Sequence, residues 1–335
     1  MAEYKVCKYS PSDYEQWQDF VSHGVNATLF HEQKFISYHP EGKFDDHSLM
    51  VYKNNELFAV FPAALLLRGR EKVLKSHPGT SYGGCIFTKG STLKDVYSTL
   101  EAIENYAKKS GISRIEFRQA PKIFLTQPFD QFDFSLVRLN YEREDEELST
   151  CYPLSSYKDI SVDDMAMQFE NVGRNKVRKN VRKAVRRGLT FRQLEKSEHK
   201  AYYNILIDNL ERHDATPAHS FEDIEKLIEL YPNRVKLYGV FVDGNMAAGY
   251  LIFNINHIGW HVFYGSLDYK YQKERPTTYG LFMLLKTLAD EGYEYLNMGI
   301  STEDGGKKIN WGLFDFKESF NGTGIIRTYW SKSIE

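Results

Sequence analysis

A lysine near the C-terminus could act as a fixed cation or hydrogen-bond donor. Lys317 directly follows Phe316, downstream of a polar, glycine-rich loop at residues 301–308. Asn310 lies between this loop and Phe316. When an amine attacks a carbonyl carbon, a fixed cation or hydrogen-bond donor can stabilise the oxyanion that forms. Lys317 could supply this stabilisation, and Phe316 and Asn310 could contact substrate. On residue type alone, a surface lysine beside a core phenylalanine is the ordinary alternative.

The group that accepts the proton from the amine is less clearly marked. Glu303 and Asp304 lie in the polar loop, and Tyr264 lies in a strand-like stretch upstream. No general base is required if the amine arrives in its neutral form. We predict Lys317, Tyr264 and Glu303 as catalytic residues.

A second set of charged residues lies in the middle of the chain. Ser161 is a suitable N-cap, and residues 162–187 have the pattern of one helix. Residues 174–187 contain eight Lys or Arg and no acidic residue. Arg174, Arg178 and Arg182 are spaced four residues apart, so on a helix their side chains would be neighbours. Like charges at this spacing repel each other unless an anion binds between them. We interpret these arginines as substrate-binding. The candidate anions are a sugar diphosphate, a CoA phosphate, a tRNA backbone and an anionic membrane surface. A solvated helix is the alternative.

The two halves of the chain show the same order of predicted elements. Each has helices and then a hairpin with a polar two-residue turn, Asn54-Asn55 or Asp243-Gly244. A strand-like stretch, an amphipathic helix and a short strand follow in both halves. The stretches are 81–87 and 261–267, and the helices are 92–110 and 277–291. This recurrence predicts a duplicated unit.

The composition is that of a globular protein with more than one domain. The chain has 335 residues and a formal net charge of −2, so it is not a basic nucleic-acid binder as a whole. Its three cysteines, Cys7, Cys85 and Cys151, support neither a disulfide framework nor a zinc site, which fits the cytoplasm. His257 and His261 have no acidic partner nearby, so no metal is expected. We expect neither a signal peptide nor a transmembrane segment.

Three segments resemble FemAB and BioF2-like acyltransferases. Gly312-Leu313, Phe316-Lys317 and Phe320 follow a strand, a glycine and a polar loop, which is similar to the family's "gl..FK..fg" element. RKAVRRGL at 182–189 resembles the family's "iRkA.k.Gv" element, and TLFHEQKFISYHP at 28–40 resembles its "fh...w...hp" opening. The matches lie at the start, middle and end, so the resemblance covers nearly the whole chain.

The resemblance implies an α/β (α+β) fold of two tandem GNAT-like domains. Each domain would be a mixed, mostly antiparallel sheet flanked by helices, whose middle strands splay to admit an acyl donor. We place the domains at 1–155 and 156–335, the second beginning with the basic helix at about 162–187. In this family an FK lysine supports the transfer, and here that residue is Lys317.

The resemblance also implies a bacterial enzyme that transfers an acyl group to an amino group of a sugar or cell-envelope precursor. An acyl-CoA donor is slightly favoured. Gln272 and Gly280 stand where GNAT proteins have a phosphate-binding loop. His39 stands where many FemAB members have a lysine for a nucleotide-sugar phosphate.

Two other functions stay open at this stage. One is a FemAB-like peptidyltransferase that uses aminoacyl-tRNA to build peptidoglycan. The other is a non-catalytic protein that binds nucleic acid or another anion. The acceptor could be a small molecule, nucleotide-linked or lipid-linked, and the sequence identifies neither the acyl group nor the oligomeric state.

Overall fold

The chain forms two compact units. The computed structural model describes residues 2–169 and 176–334. Unit 1 comprises Met1–Glu147 and Ile326–Glu335, and unit 2 comprises Leu148–Ile325. The predicted domain bounds, 1–155 and 156–335, stay a prediction. In the part of the chain described here, no helix is both long and apolar enough to cross a membrane.

Unit 1 contains two sheets. In the first, β1 (Tyr4–Lys8) and β4 (Glu56–Phe61) flank β3 (Leu49–Lys53) with antiparallel pairing. The second has the order β2 (Asp45–Asp46), β5 (Ala63–Arg68), β6 (Glu71–Ser76), β7 (Arg114–Arg118) and the end of β16 (Thr323–Ser333). The helices are α1 (Tyr14–Ser22), α2 (Gln33–Ile36), α3 (Leu93–Lys109) and α4 (Gln131–Arg138). The strand β8 (Glu142–Pro153) leads from unit 1 into unit 2.

Local sequence explains the path of these strands. Asn54 and Asn55 both have positive φ, 50° and 68°, and form the predicted hairpin turn between β3 and β4. Pro62 interrupts the apolar run at residues 58–67, because proline cannot donate a ladder hydrogen bond. As a result, β4 and β5 belong to different sheets.

The predicted strand at 81–87 is wrong. Only isolated bridges form there, from Gly83 to Gln119 and from Ile86 to Val60. Gly83 and Gly84 weaken a strand because they have no side chain to pack. The strand that runs parallel to β7 is β6, so β6 is the element that precedes α3 in the repeated order.

Unit 2 contains one mixed sheet with helices on both faces. Its order is β8, β13 (Tyr295–Ile300), β12 (Gly259–Leu267), β11 (Asn245–Asn256), β10 (Val235–Val242) and β9 (Thr190–Gln193). All neighbouring pairs are antiparallel except β12 with β13. The helices are α5 (Val162–Met167), α6 (Val177–Arg186), α7 (His199–Glu211), α8 (Phe221–Leu230), α9 (Pro276–Asp290) and α10 (Trp311–Glu318). A ribbon of β14 (Thr302–Glu303) and β15 (Lys308–Ile309) occupies the polar loop.

The predicted duplication is confirmed at the level of architecture. Unit 1 has the order β5, β6, α3, β7, and unit 2 has β11, β12, α9, β13. In both, an antiparallel hairpin is followed by a helix that crosses to a parallel strand. The sequence pattern matched residues 81–87 with 261–267, which was wrong. The strand of unit 1 that corresponds to β12 is β6.

Helices α7 and α9 cover opposite faces of the unit 2 sheet. Tyr250 on β11 packs against Gly280 of α9, whereas its neighbour Gly249 packs against Tyr202 of α7. Successive strand residues point to opposite faces, so the two helices lie on opposite sides. On the α9 face, α6 adds its buried Val181 to the core.

The predicted single helix at about 162–187 is wrong. Helix α5 ends at Met167, and α6 begins at Val177, after Lys176 with a φ of +46°. The left-handed conformation of Lys176 is not one that an α-helix of L-residues continues through, so α6 begins after it. Arg174 belongs to residues 170–175, which lie outside the described residues.

Candidate active site

The two middle strands of unit 2 separate after a short contact. Residues 259–261 of β12 pair with 295–297 of β13, and the last pair is His261 with Asn297. The described residues form no further pair between these strands, although both strands continue. Beyond this contact, a bulge at Phe263 bends β12. The sheet therefore opens a cleft between β12 and β13.

Asn297 lies at the point where the strands separate and is fully buried. Its Oδ1 accepts hydrogen bonds from the Ser149 hydroxyl at 2.9 Å and the Gly299 N–H at 2.6 Å. Gly299 has a φ of +72°, and a Cβ there would lie 3.4 Å from His261 Cε1. A larger residue at 299 would be strained and would crowd His261.

Lys317 on α10 holds the end of β13. Its side chain is buried, with 2% of the residue exposed, and Nζ donates to Gly299 O at 2.9 Å and Ile300 O at 2.8 Å. No carboxylate forms an ion pair with it among the described residues. Burial lowers the pKa of Lys317 to about 7, because the low-dielectric interior disfavours the charged amine. The protonated form has three N–H groups, so below about pH 7 Lys317 can donate one further hydrogen bond.

Buried polar atoms without partners surround the end of β13. Among the described residues, Asn297 Nδ2, Ser301 Oγ, Thr302 Oγ1 and Thr150 Oγ1 have no hydrogen-bond partner. Leaving such a group unpaired costs about 1–3 kcal/mol. A group of four on β13, its following residues and the neighbouring β8 therefore indicates a place for water or substrate.

Tyr264 lies on the bulged part of β12. Its hydroxyl accepts a hydrogen bond from the Ala218 N–H at 2.8 Å and lies 3.4 Å from His219 Nδ1. Burial raises the pKa of Tyr264 to about 12, so the phenol stays protonated near neutral pH. Its position beside the cleft agrees with substrate contact, and its predicted catalytic role stays a prediction.

The other C-terminal candidates lie in different environments. Glu303 is exposed on the β14–β15 ribbon, where it pairs with Lys308. Asn310 caps α10, with its side chain accepting from the Leu313 N–H at 3.0 Å. Phe316 is half-buried against Phe320. Local stability therefore accounts for Asn310 and Phe316, and their predicted substrate contacts stay predictions.

The basic segment borders a groove of about 830 Å³ between α5, α6 and α9. Its apolar lining includes Val162, Val185 and Met283, and its cationic lining includes Arg178 and Arg182. Arg182 is 45% exposed and lies 3.9 Å from Asp163, which only weakly offsets its charge. The structure therefore brings two of the three predicted arginines together.

The predicted donor-binding residues lie near the start of α9. Gln272 is exposed in the 3-10 turn Tyr269–Glu274. Gly280 is buried inside the helix, and a Cβ there would lie 2.6 Å from Tyr250 Cε2. Close packing alone thus requires a glycine at 280, and donor binding by either residue stays a prediction.

His39 belongs to unit 1, where it lies among aromatic side chains. Its Nε2 is 3.0 Å from Gly79 O, and its ring stacks near His77. Burial lowers the pKa of His77 to about 4, so that neighbour is neutral near pH 7. The predicted phosphate contact of His39 stays a prediction.

Asn297 and Ser149 were not predicted from the sequence, and His261 was considered only as part of a metal pair. The sequence did contain a signal for Asn297, because an asparagine in the otherwise apolar β13 is a buried polar residue that needs an explanation. The described residues contain no group of three or more His, Cys, Asp or Glu placed to hold a metal ion.

Comparison with known proteins identifies the class of this fold. Residues 172–318 match the family model of the acetyltransferase (GNAT) domain. The structure is similar to FemX, with a TM-score of 0.71 and 12% identity over 98% of this chain and 96% of that one. It is also similar to the C-terminal domain (DUF2156) of a putative lysylphosphatidylglycerol synthetase from Agrobacterium fabrum, with a TM-score of 0.59 and 14% identity over 96% and 91%.

A third similar structure is a tandem GNAT protein from the clavulanic acid biosynthesis pathway, with a TM-score of 0.58 and 7% identity over 99% of both chains. No curated protein matches the sequence. The predicted fold of two tandem GNAT-like domains and the predicted resemblance to FemAB-like proteins are confirmed at the level of fold. The domain match confirms the predicted enzyme class, an acyltransferase.

Proposed function

We propose that unit 2 transfers an acyl group to the amine of a sugar or cell-envelope precursor. The observation that carries this proposal is the cleft between β12 and β13, with buried Lys317 at the end of β13. This cleft lies within the segment that matches the acetyltransferase domain. An acyl-CoA thioester is the favoured donor, and the unpaired polar atoms around β13 fit a polar carbonyl group.

In this reaction the amine nitrogen attacks the carbonyl carbon of the thioester. The carbonyl electrons move to oxygen, then return as the carbon–sulfur bond breaks, and the thiolate takes the proton that the amine loses. In its protonated form, Lys317 would donate its third hydrogen bond to the oxyanion, and its bonds to Gly299 O and Ile300 O would hold it in place. Tyr264 would line the amine's side of the cleft.

The groove beside α6 would hold the phosphate groups of donor or acceptor. Arginine binds two phosphate oxygens at once, and Arg178 and Arg182 lie one helical turn apart. An apolar lining beside them fits the uncharged part of the same substrate.

A FemAB-like transfer from aminoacyl-tRNA is the second candidate. The charged residues of α6 are all positive, and such a surface can bind the phosphate backbone of RNA. A non-catalytic anion-binding protein is the third. Thermal-shift titrations with acetyl-CoA, free CoA and UDP-linked amino sugars, at low and moderate salt, distinguish them. A shift with acetyl-CoA supports the first proposal, and a shift with the nucleotide sugar alone supports the second.

Turnover then tests the site directly through release of free thiol. Lys317→Ala should lower kcat about a hundredfold or more, the usual effect of removing an oxyanion donor. Lys308→Ala, at an exposed position, is the matched control and should retain activity. If Lys317→Ala turns over like the wild type, the oxyanion role is wrong. Anion binding with steep salt dependence and no turnover with any donor supports the third candidate.

A further inference from the structure

Unit 1 contains a cluster of charged and aromatic side chains that the acyl-transfer site does not use. Arg118 ends β7, and Arg327 lies on β16. Both guanidinium groups lie over the ring of Tyr329, at 5.0 and 5.5 Å from its centroid. Arg327 also lies 5.2 Å from the centroid of Tyr82. Two cations thus meet at aromatic faces.

The cluster has more positive than negative charge. Its carboxylate, Glu147, accepts a hydrogen bond from the Tyr329 hydroxyl at 2.7 Å and lies 3.8 Å from Arg327 Nη1. Arg327 and Glu147 side chains are each only 11% exposed. The next carboxylate, Glu116, already contacts three cations, which are Arg68, Lys75 and Arg114. One positive charge therefore lacks a balancing anion among the described neighbours.

Hydrogen bonding is also incomplete. Arg118 Nε and Arg327 Nε are buried and have no partner among the described residues. Arg118 Nη1 reaches Thr80 O only at 3.5 Å, whereas Arg327 Nη2 donates to Ser81 O at 2.9 Å. Burial lowers the pKa of Arg118, and the neighbouring cation Arg327 lowers it further, although Glu147 acts in the opposite direction. Buried guanidinium groups are normally paired with acceptors.

We propose that Arg118 and Arg327 form a binding subsite in unit 1 for an oxyanion, the phosphate or carboxylate group of a small molecule. A planar guanidinium donates two parallel hydrogen bonds to such a group, and the bound charge would balance the cluster. The proposal is independent of acyl transfer in unit 2. Tyr82 and Tyr329 would keep both guanidinium groups in fixed orientations through cation–π contacts.

Thermal-shift titrations of the full chain with pyrophosphate and with succinate test the subsite, against sodium chloride at equal ionic strength. A saturable rise in Tm is expected with at least one probe. A response to pyrophosphate alone assigns the ligand group as phosphate, and a response to succinate alone assigns it as carboxylate. No saturable rise with either probe overturns the proposal, whatever the variants do.

Variants then locate the binding. Arg118→Gln and Arg327→Gln should each weaken affinity at least about tenfold, because each removes a charge-assisted contact. Arg143→Gln is the matched control in unit 1, where Arg143 lies over Trp330 and pairs with Glu146. Arg182→Gln controls for the unit 2 groove. If Arg118→Gln and Arg327→Gln bind like the wild type, or Arg182→Gln abolishes the shift, the subsite is not in unit 1. If a glutamine variant unfolds, Arg118→Lys replaces it. This variant keeps the positive charge but loses the two parallel hydrogen bonds of the guanidinium group.

Discussion

The protonation of Lys317 should make the stability of the protein depend on pH. The pKa of this buried amine is about 7 in the folded chain and 10.5 for an ordinary lysine. Between those values the unfolded chain binds the proton and the folded chain does not, so stability rises with pH. Below about pH 7 both states bind it, and the full cost of burying the cation is present.

The magnitude follows from linkage. Lowering the pH from about 9 to about 6 should remove about 2.5 kcal/mol of the free energy of unfolding through this one group. Lys317→Met removes the group and leaves Gly299 O and Ile300 O without its hydrogen bonds. The variant should therefore lack this part of the pH dependence, whatever its stability at one pH.

Urea unfolding followed by circular dichroism at several pH values between about 6 and 9 measures the effect. The quantity to compare is the difference in unfolding free energy between wild type and Lys317→Met, because other titrating groups cancel in it. Lys308→Met, at an exposed position, is the control and should track the wild type. Parallel curves for wild type and Lys317→Met would refute the reasoning and would mean that Lys317 stays charged throughout. If the variant does not fold, an NMR titration of the Lys317 amine gives the same answer.

Three further outcomes are expected. Gly280→Ala should lower the unfolding free energy by about 1–3 kcal/mol in urea, because its Cβ would lie 2.6 Å from Tyr250 Cε2; Gly312→Ala, whose Cβ would lie at an ordinary contact distance of 3.8 Å from Asn310 Oδ1, should not. Ser220→Ala should cost about 1 kcal/mol by the same assay, because the Ser220 hydroxyl caps α8; an unchanged midpoint would exclude the cap. Burial lowers the pKa of His31 to about 4, so wild type should lose stability as the pH falls below about 6.5, and His31→Gln should lose less; equal acid sensitivity would contradict this.

The hairpin turns and the two long helices were predicted well, because residues within or beside each element determine it. The turns at Asn54-Asn55 and Asp243-Gly244 both have the positive φ that hairpins require. The α3 and α9 helices begin and end close to their predicted bounds, because Thr92 and Pro276 mark their starts. Lys317 was found through a resemblance, and its burial was not expected.

Features that depend on distant contacts were predicted less well. Pro62 sends the chain from one sheet to another, and sequence pattern showed only an apolar run. Asn297 and His261 meet because α9 brings β13 beside β12, and neither local pattern carries that information. The excess charge at Arg118 likewise depends on Arg327, which follows all of unit 2 in the chain.

The return of the chain to unit 1 has a consequence for its biosynthesis. Residues 329–333 of β16 pair with 114–118 of β7, and Trp330 is 2% exposed in the unit 1 core. During translation, the ribosome synthesises all of unit 2 before it adds these residues. Until then, unit 1 lacks the strand that pairs with one edge of β7. An exposed strand edge is a target for aggregation or chaperones. A nascent chain that stops before Ile326 should thus contain a folded unit 2 beside an incomplete unit 1.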